Sequence, residues 1–251
     1  RFYCLTFNFS VKIYRSIAVI DMKQISLSNE IQTACPDLCV LAISCQVKNT
    51  PNDADLWEII HQEEALVREQ VKLNEINKWH PIQATRQAYK KLGKDPNRYR
   101  PSAESLRRRI LRELPLYQID TLVDLINLVS IHSGYSIGGF DEDKIQGDKL
   151  ILGVGQEGEV YHGIGRGELN IAGLPVYRDA IGGIGTPTSD EERTKISLET
   201  TSLLMIINGY SGKDGLLESG QYALELLRKY NDAKEIEMSF ISPKGQEPIT
   251  F

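Results

Sequence analysis

The segment 195–207, KISLETTSLLMII, restricts how this chain can fold more than any other. Its first half alternates, with Glu199 on the polar side, as in a strand with one buried face. Its second half is continuously apolar, which is typical of a strand buried on both faces. A second run, 37–47 (DLCVLAISCQV), also predicts a buried strand. We therefore expect a layered β core with packed elements on both sides.

Helical spacing is present in five segments, at 52–73, 81–92, 103–114, 121–132 and 216–230. Ser102 and Asp120 can cap the third and fourth of these helices, because their side-chain oxygens can accept a backbone N–H of the first turn. The fourth helix is apolar almost all round and should be largely buried. Its polar residues Asp124 and Asn127 then need hydrogen-bonding partners or contact with water.

Glycines punctuate the chain from Gly134 onward and separate short β-like pieces such as KLILGV and EVYHGI. Together with the helices, this series of short strands separated by glycines predicts an α+β fold with a layered mixed or antiparallel β core and flanking helices. We expect one domain over 22–232 and a C-terminal tail over 233–251. Residues 1–21 are expected to be an N-terminal extension, although the alternation over 2–13 also allows an additional edge strand.

The composition gives no sign of a membrane segment, a metal site or a cofactor. No apolar run approaches the roughly 20 residues of a membrane-spanning helix, so we expect no membrane partner and a cytoplasmic location. Cys35, Cys39 and Cys45 lie close together, but their spacing lacks a CxxC or HxxxH partner. Reduced, structural thiols are therefore expected. The four histidines are scattered, and neither G-x-S-x-G nor H-E-x-x-H is present.

A basic segment stands out in a chain whose net charge is −5. Residues 86–113 contain ten lysines and arginines against three acidic residues, a net +7, so the rest of the chain carries −12. Such a segment can bind phosphate locally, or it can be a pair of solvated helix faces. In the first case, the expected RNA contacts are Lys90, Lys91, Arg98, Arg100, Arg107 and Arg108.

Two stretches resemble a known family. The stretch 119–150 (IDTLVDLINLVSIHSGYSIGGFDEDKIQGDKL) resembles the pattern N-x-V-D-V-T-N-Y-V-x-x-E-x-G followed by Q-P-x-H-A-F-D-x-D-K-I. Further on, 179–200 (DAIGGIGTPTSDEERTKISLET) resembles L-A-G-V-M-G-G…S-x-V-x-x-x-T-x-x-I-x-L-E-S. Both patterns are those of the tRNA synthetase B3/B4 domain, the module that forms the editing site in the β subunit of bacterial phenylalanyl-tRNA synthetase. The matching residues are Asp124, Asn127, Gly134, Phe140, Asp141, Asp143, Lys144, Ile145, Gly182, Gly183, Thr194 and Glu199.

The resemblance implies a B3/B4-like fold and a set of substrate-binding residues. In the family, the glutamate at the position of Glu199 accepts the hydroxyl of a mischarged tyrosine, and the backbone at Gly182 and Gly183 lines the same pocket. Asn127 and Gly138 are expected to join them as substrate-binding residues. Gly138 replaces the family's histidine, which removes a group able to position water or the terminal adenosine.

Two kinds of function follow from these features. The first is recognition of an aminoacyl-tRNA end, with or without hydrolysis of a mischarged, tyrosine-like amino acid in trans. The second is a non-catalytic module that binds RNA or a free aromatic amino acid. A structural relic that binds no ligand remains a third alternative. The first would use a working pocket around Asn127 and Glu199, whereas the loss of the histidine at Gly138 favours the second.

Overall fold

The computed structural model describes residues 22–250, a mixed α and β structure in which helices and sheets are stacked in layers. The N-terminal segment 1–21, expected to be an extension or an edge strand, lies outside the described residues. The helices are α1 (Asn29–Ala34), α2 (Ala54–Gln70), α3 (His80–Lys91), α4 (Ser102–Leu111), α5 (Thr121–Ser133) and α6 (Leu216–Asn231). The strands are β1 (Gln24–Leu27), β2 (Cys39–Gln46), β3 (Ser136–Asp141), β4 (Lys149–Val154), β5 (His162–Gly163), β6 (Gly167–Glu168), β7 (Pro175–Arg178), β8 (Gly183–Gly185), β9 (Ser202–Gly209), β10 (Lys234–Ser242) and β11 (Gly245–Pro248).

The strands form two main sheets. A five-stranded antiparallel sheet has the order β11-β10-β2-β9-β3, and a four-stranded sheet has the order β1-β4-β7-β8. In the smaller sheet β1 runs parallel to β4, whereas the other pairs are antiparallel. The α+β class and the layered β core with flanking helices are therefore confirmed.

The central strands β2 and β9 are buried on both faces. One face, with Leu41 and Met205, packs against α5 and α6. The other face, with Ala42 and Ile206, packs against the four-stranded sheet. Burying a side chain of this size stabilises the fold by about 1.5–3 kcal/mol, so the continuous apolar pattern requires a layer on each side.

Helix α5 forms as its sequence predicts. The Asp120 carboxylate accepts the Val123 N–H at 2.9 Å, and Gly134 ends the helix in the left-handed region at φ 79°. The buried Asp124 accepts the Trp57 indole N–H at 2.8 Å and the Ile119 N–H at 3.0 Å. Its need for partners is thereby met. For α4, Ser102 is the first helical residue and not the cap.

Two segment boundaries differ from the prediction. The segment 233–251, expected to be a tail, contributes β10, which pairs with β2 inside the larger sheet, and β11 beside it. The strand expected over 195–207 begins only at Ser202. The Thr200 hydroxyl accepts the Ser197 N–H at 2.9 Å and donates to the Asp141 carboxylate at 2.9 Å, which holds residues 197–200 in a turn.

Across residues 22–250, no helix combines the length and the apolar character needed to cross a bilayer.

Replacing Ile241 by Ala tests whether β10 belongs to the core. Ile241 is fully buried opposite Val40 of β2, so the change should lower the free energy of unfolding by about 2–5 kcal/mol. Lys244→Ala, in the exposed turn after β10, is the control and should change it by less than about 0.5 kcal/mol. Urea denaturation gives both values, and equal effects would show that 233–250 is peripheral.

Candidate functional site

A cavity of about 380 Å³ opens between α4, α5, β3 and the loop that follows β8. We call it the Asp190 cavity. Its apolar lining comes from Leu106, Ile119, Val123, Ile126, Ile137, Ile164 and Ile196. Its polar lining comes from Ser102, Asn127, Ser130, Thr186, Ser189, Asp190 and Lys195, and Gly139 completes the wall. A mostly apolar cavity with a few polar groups is the usual form of a small-molecule site.

Asp190 is the acidic group of this cavity. Its Oδ2 accepts the Gly139 N–H at 3.2 Å, and, among residues 22–250, Oδ1 accepts no hydrogen bond. Burial of the carboxyl raises the pKa of Asp190 to about 7, although the Gly139 N–H opposes the shift. At neutral pH the group is therefore close to its midpoint and can take up or release a proton.

Glycines allow the backbone to approach this carboxyl closely. A Cβ at Gly185 would lie 2.9 Å from Oδ1 and 2.5 Å from the Phe140 ring, and a Cβ at Gly138 would lie 3.4 Å from Oδ1 and 2.7 Å from the same ring. Real Cβ atoms almost never lie within 3.0 Å of a heavy atom outside their own residue and its chain neighbours, so neither position accepts a side chain without a shift of the Phe140 ring. A histidine at position 138 would therefore require that ring to move.

A second concavity, of about 410 Å³, adjoins the first. We call it the arginine groove, because Arg100, Arg108, Arg109, Arg112 and Arg166 line it. Ser102, Leu106 and Asn127 line both the groove and the Asp190 cavity. The two spaces therefore share a wall, and the half-buried Asn127 of α5 belongs to both.

The fully buried Glu104 organises the basic segment. Its carboxylate accepts Arg86 and Arg108 at 2.8 Å each, and Arg100 lies 4.0 Å away. Arg86 also donates to the Pro96 carbonyl. Because a buried charge is stable only when it is paired, Glu104 fixes α4 against α3 and determines which arginines remain at the surface.

The expected RNA-contacting residues separate into three groups. Arg100 and Arg108 line the arginine groove. Lys90, Lys91 and Arg98 are exposed but lie outside the lining of the groove.

Arg107 forms the third group and is engaged within the fold. It is buried, donates to the Ile131 carbonyl and lies 3.1 Å over the Trp79 ring. Its expected role in RNA contact is therefore corrected to a structural one at the end of α5. Three further arginines line the groove but were not among the expected RNA contacts, namely Arg109, Arg112 and Arg166. The first two lie in the basic segment. Arg166 lies far from that segment in the chain, and no sequence pattern connects it with the others.

The residues expected to converge around a substrate do not line one cavity. Asn127 lines the Asp190 cavity, whereas Gly138, Gly182, Gly183 and Glu199 are absent from its lining. Gly183 is buried against Tyr161, and the Gly182 N–H donates to the Asp179 carboxylate at 3.1 Å.

Glu199 lies in the exposed turn before β9, where a hydrogen bond from the Ser197 hydroxyl lowers its pKa. Its expected position on a polar strand face is therefore wrong. The acidic residue of the cavity is Asp190. In the sequence, Asp190 lies in the charged run S-D-E-E, which is typical of a solvated loop. The sequence therefore did not indicate that it lines a cavity.

The possible metal ligands and the cysteines of residues 22–250 are characterised by their arrangement and by their burial. Over the described part of the chain, no group of three His, Cys, Asp or Glu residues is arranged to hold a metal ion. Cys35, Cys39 and Cys45 are buried free thiols, and burial raises the pKa of Cys45 to about 12. These thiols therefore act as small apolar side chains.

Comparison with known proteins places the chain in a family. The family model of the B3/4 domain matches residues 84–226, more than half of the 251 residues. The chain therefore belongs to the B3/4 domain family, and the resemblance read from its sequence is confirmed. A search of curated protein sequences finds no match.

Among solved structures, the chain is similar to an N-terminal fragment of the phenylalanyl-tRNA synthetase β-subunit from Pyrococcus horikoshii, with a TM-score of 0.49 and 13% identity. The similarity covers 92% of this chain and 56% of that fragment. This chain thus spans little more than half of the length of the fragment.

The raised pKa of Asp190 predicts a pH dependence of stability. Because the folded-state pKa, about 7, lies above the ordinary 3.8, the ionised carboxyl destabilises the fold. The penalty is absent below about pH 4, grows with pH and is complete above about pH 7. Asp190→Asn should therefore gain stability relative to the wild type between pH 5 and pH 8, as measured by urea unfolding.

Asp179 supplies the control for this experiment. Its burial opposes ionisation, but the Arg193 guanidinium and neighbouring N–H groups lower its pKa to about 2. Asp179→Asn should therefore be less stable than the wild type by the same amount at pH 5 and pH 8. If Asp190→Asn shows no change between these pH values, the carboxyl titrates normally.

Proposed function

We propose that this chain recognises the aminoacylated 3′ end of a tRNA. One observation carries the proposal: the Asp190 cavity and the arginine groove share the wall formed by Ser102, Leu106 and Asn127. A ligand that occupies both spaces needs a phosphate-bearing strand joined to a small, mostly apolar head. The end of an aminoacyl-tRNA has this composition. Membership of the B3/4 domain family supports a function connected with tRNA.

The arginine groove supplies the phosphate contacts. Guanidinium groups match phosphate oxygens in a bidentate geometry and remain charged at neutral pH. Arg112 and Arg166 are exposed and approach from different parts of the chain. A local positive groove can attract a polyanion even though the whole chain carries −5, because field lines concentrate in a concave surface.

The Asp190 cavity would receive the amino acid. Its isoleucines suit an apolar side chain, and the Asp190 carboxylate, which among residues 22–250 accepts only the Gly139 N–H, can accept a further donor, such as the hydroxyl of a tyrosine-like residue. A buried acceptor rejects an analogue that lacks the hydroxyl far better than an apolar wall does, because the acceptor would then remain unpaired. This role replaces the one expected for Glu199.

Hydrolysis of the ester in trans is the second candidate, and the pKa of Asp190 near 7 favours it. In this reaction the Asp190 carboxylate takes a proton from water while the water oxygen attacks the ester carbonyl. The bond to the ribose oxygen then breaks, that oxygen takes the proton back from the Asp190 carboxyl, and the free amino acid and the tRNA leave. A general base with a pKa near the working pH contributes about 10²–10⁴ in rate.

Asp190→Asn separates the two roles. With an amide-linked aminoacyl-RNA, which does not hydrolyse, the substitution should reduce the preference for tyrosine over phenylalanine by roughly ten- to a hundredfold, since it removes a charged acceptor worth about 1.5–3 kcal/mol. Calorimetry measures this preference. Asp148→Asn, in an exposed turn, is the control.

A panel of mischarged tRNAs then tests the hydrolysis. Release of the amino acid by the wild type and its loss in Asp190→Asn would support catalysis. Unchanged hydrolysis in the variant would exclude Asp190 as the base. If the wild type binds neither charged nor uncharged tRNA, the proposed function is wrong.

The arginine groove is tested through the salt dependence of binding. Each phosphate contact to a single strand contributes about −0.7 to the slope of log K against log salt. The double variant Arg112→Gln and Arg166→Gln should therefore bind more weakly and flatten the slope by about 1.4. Arg228→Gln, on an exposed position of α6, should leave the slope unchanged. Equal slopes in all three proteins would exclude the groove as the phosphate site.

A further inference from the structure

An exposed aromatic side chain lies in the arginine groove. Tyr117, in the segment between α4 and α5, is 66% exposed and lines the groove together with Arg109 and Asn127. Large aromatic side chains usually bury their rings. An open ring beside a wall of arginines is therefore a feature that folding alone does not explain.

One face of the Tyr117 ring is held in place by the protein. The Arg109 guanidinium lies 4.0 Å from the ring centroid, and its Nε donates to the Pro115 carbonyl. This cation–π contact and the hydrogen bond together orient the ring and the guanidinium. Most of the residue remains exposed beside Arg109, so ring surface is open to a ligand.

Tyr117 lines the arginine groove and is connected with the Asp190 cavity through a lining residue that the two spaces share. Its neighbour in the groove lining, Asn127, also lines the Asp190 cavity. An RNA strand whose aminoacyl group occupies the cavity would bring its last nucleotide past Asn127 and along the groove. The terminal base would then lie close to the open ring, and the phosphate on its 5′ side would lie among the arginines.

We propose that Tyr117 is a stacking platform for the unpaired terminal base of the RNA strand. The inference rests on the proposed function and extends it, since it assigns a residue to the base as well as to the phosphates and the amino acid. Stacking is the interaction by which aromatic side chains hold single-stranded bases, and it is independent of base pairing. The five arginines that line the same groove favour a polyanionic strand over an apolar protein segment.

A minihelix probe tests this role. The probe is a synthetic RNA hairpin that ends in single-stranded CCA and carries an amide-linked amino acid, and a second version lacks only the terminal base. Tyr117→Leu keeps an apolar side chain but removes the ring, whereas Tyr117→Phe keeps the ring. The Leu variant should bind the complete probe about five- to a hundredfold more weakly than the wild type does.

Three further results are expected. The Phe variant should bind like the wild type, and the Leu variant and the wild type should bind the abasic probe equally. With 2-aminopurine as the terminal base, stacking should quench its fluorescence in the wild type and in Tyr117→Phe but not in Tyr117→Leu. Ile151→Ser, which changes an exposed apolar residue of β4 outside both spaces, is the control and should bind both probes normally.

The outcomes separate this inference from the proposed function. If the wild type does not bind the complete probe, the proposed function itself fails. If it binds the complete and abasic probes equally, or if Tyr117→Leu weakens both to the same extent, the stacking role is overturned while recognition of the aminoacyl end stands. Equal quenching of 2-aminopurine in all variants would also overturn it.

Discussion

The pairing of β2 with β9 is the constraint on which the rest of this structure depends. The two strands are matched from Cys39 with Gly209 to Gln46 with Ser202, and both are buried on both faces. A pair of this kind must be covered twice, by α5 and α6 on one side and by the four-stranded sheet on the other. The covering elements then bring the candidate site together, since α5 carries Asn127 and β3, the edge neighbour of β9, carries Gly139.

Two carboxylates with different surroundings serve different purposes in this fold. Glu104 is surrounded by arginines, so its charge is balanced and it holds α4 against α3. Asp190 has one backbone N–H and no cationic partner at hydrogen-bond distance among residues 22–250, so burial raises its pKa to about 7. An imperfectly paired carboxyl destabilises the fold. Its presence at the wall of a cavity is therefore consistent with a role in ligand binding or proton transfer.

The charge distribution and the cavities support the same proposed ligand. Part of the basic segment stabilises the fold and is not available to a ligand, since Arg86 and Arg107 bind internal partners. The arginines that remain line one groove, and Arg166 joins them from the β5–β6 ribbon. A positive groove that shares a wall with an apolar, acid-bearing cavity suits a ligand with a phosphate chain at one end and an amino acid at the other.

The sequence by itself determined the local structure and the family. Helix periodicity, the Asp120 cap and the Gly134 end depend on residues within one or two turns, so they could be read directly, and the motifs around Asn127 indicated the B3/4 domain. Tertiary structure decided the rest. Asp190 accepts a hydrogen bond from Gly139 across 51 positions of chain, and Arg166 lines the same groove as Arg109 from 57 positions away. Strand β10 was missed because it pairs with β2 from almost 200 residues away, and Glu199 was misplaced because the Thr200 hydroxyl holds a turn where alternation predicted a strand. Contacts between distant segments depend on how the helices and the smaller sheet pack over β2 and β9. Local sequence patterns do not specify that packing.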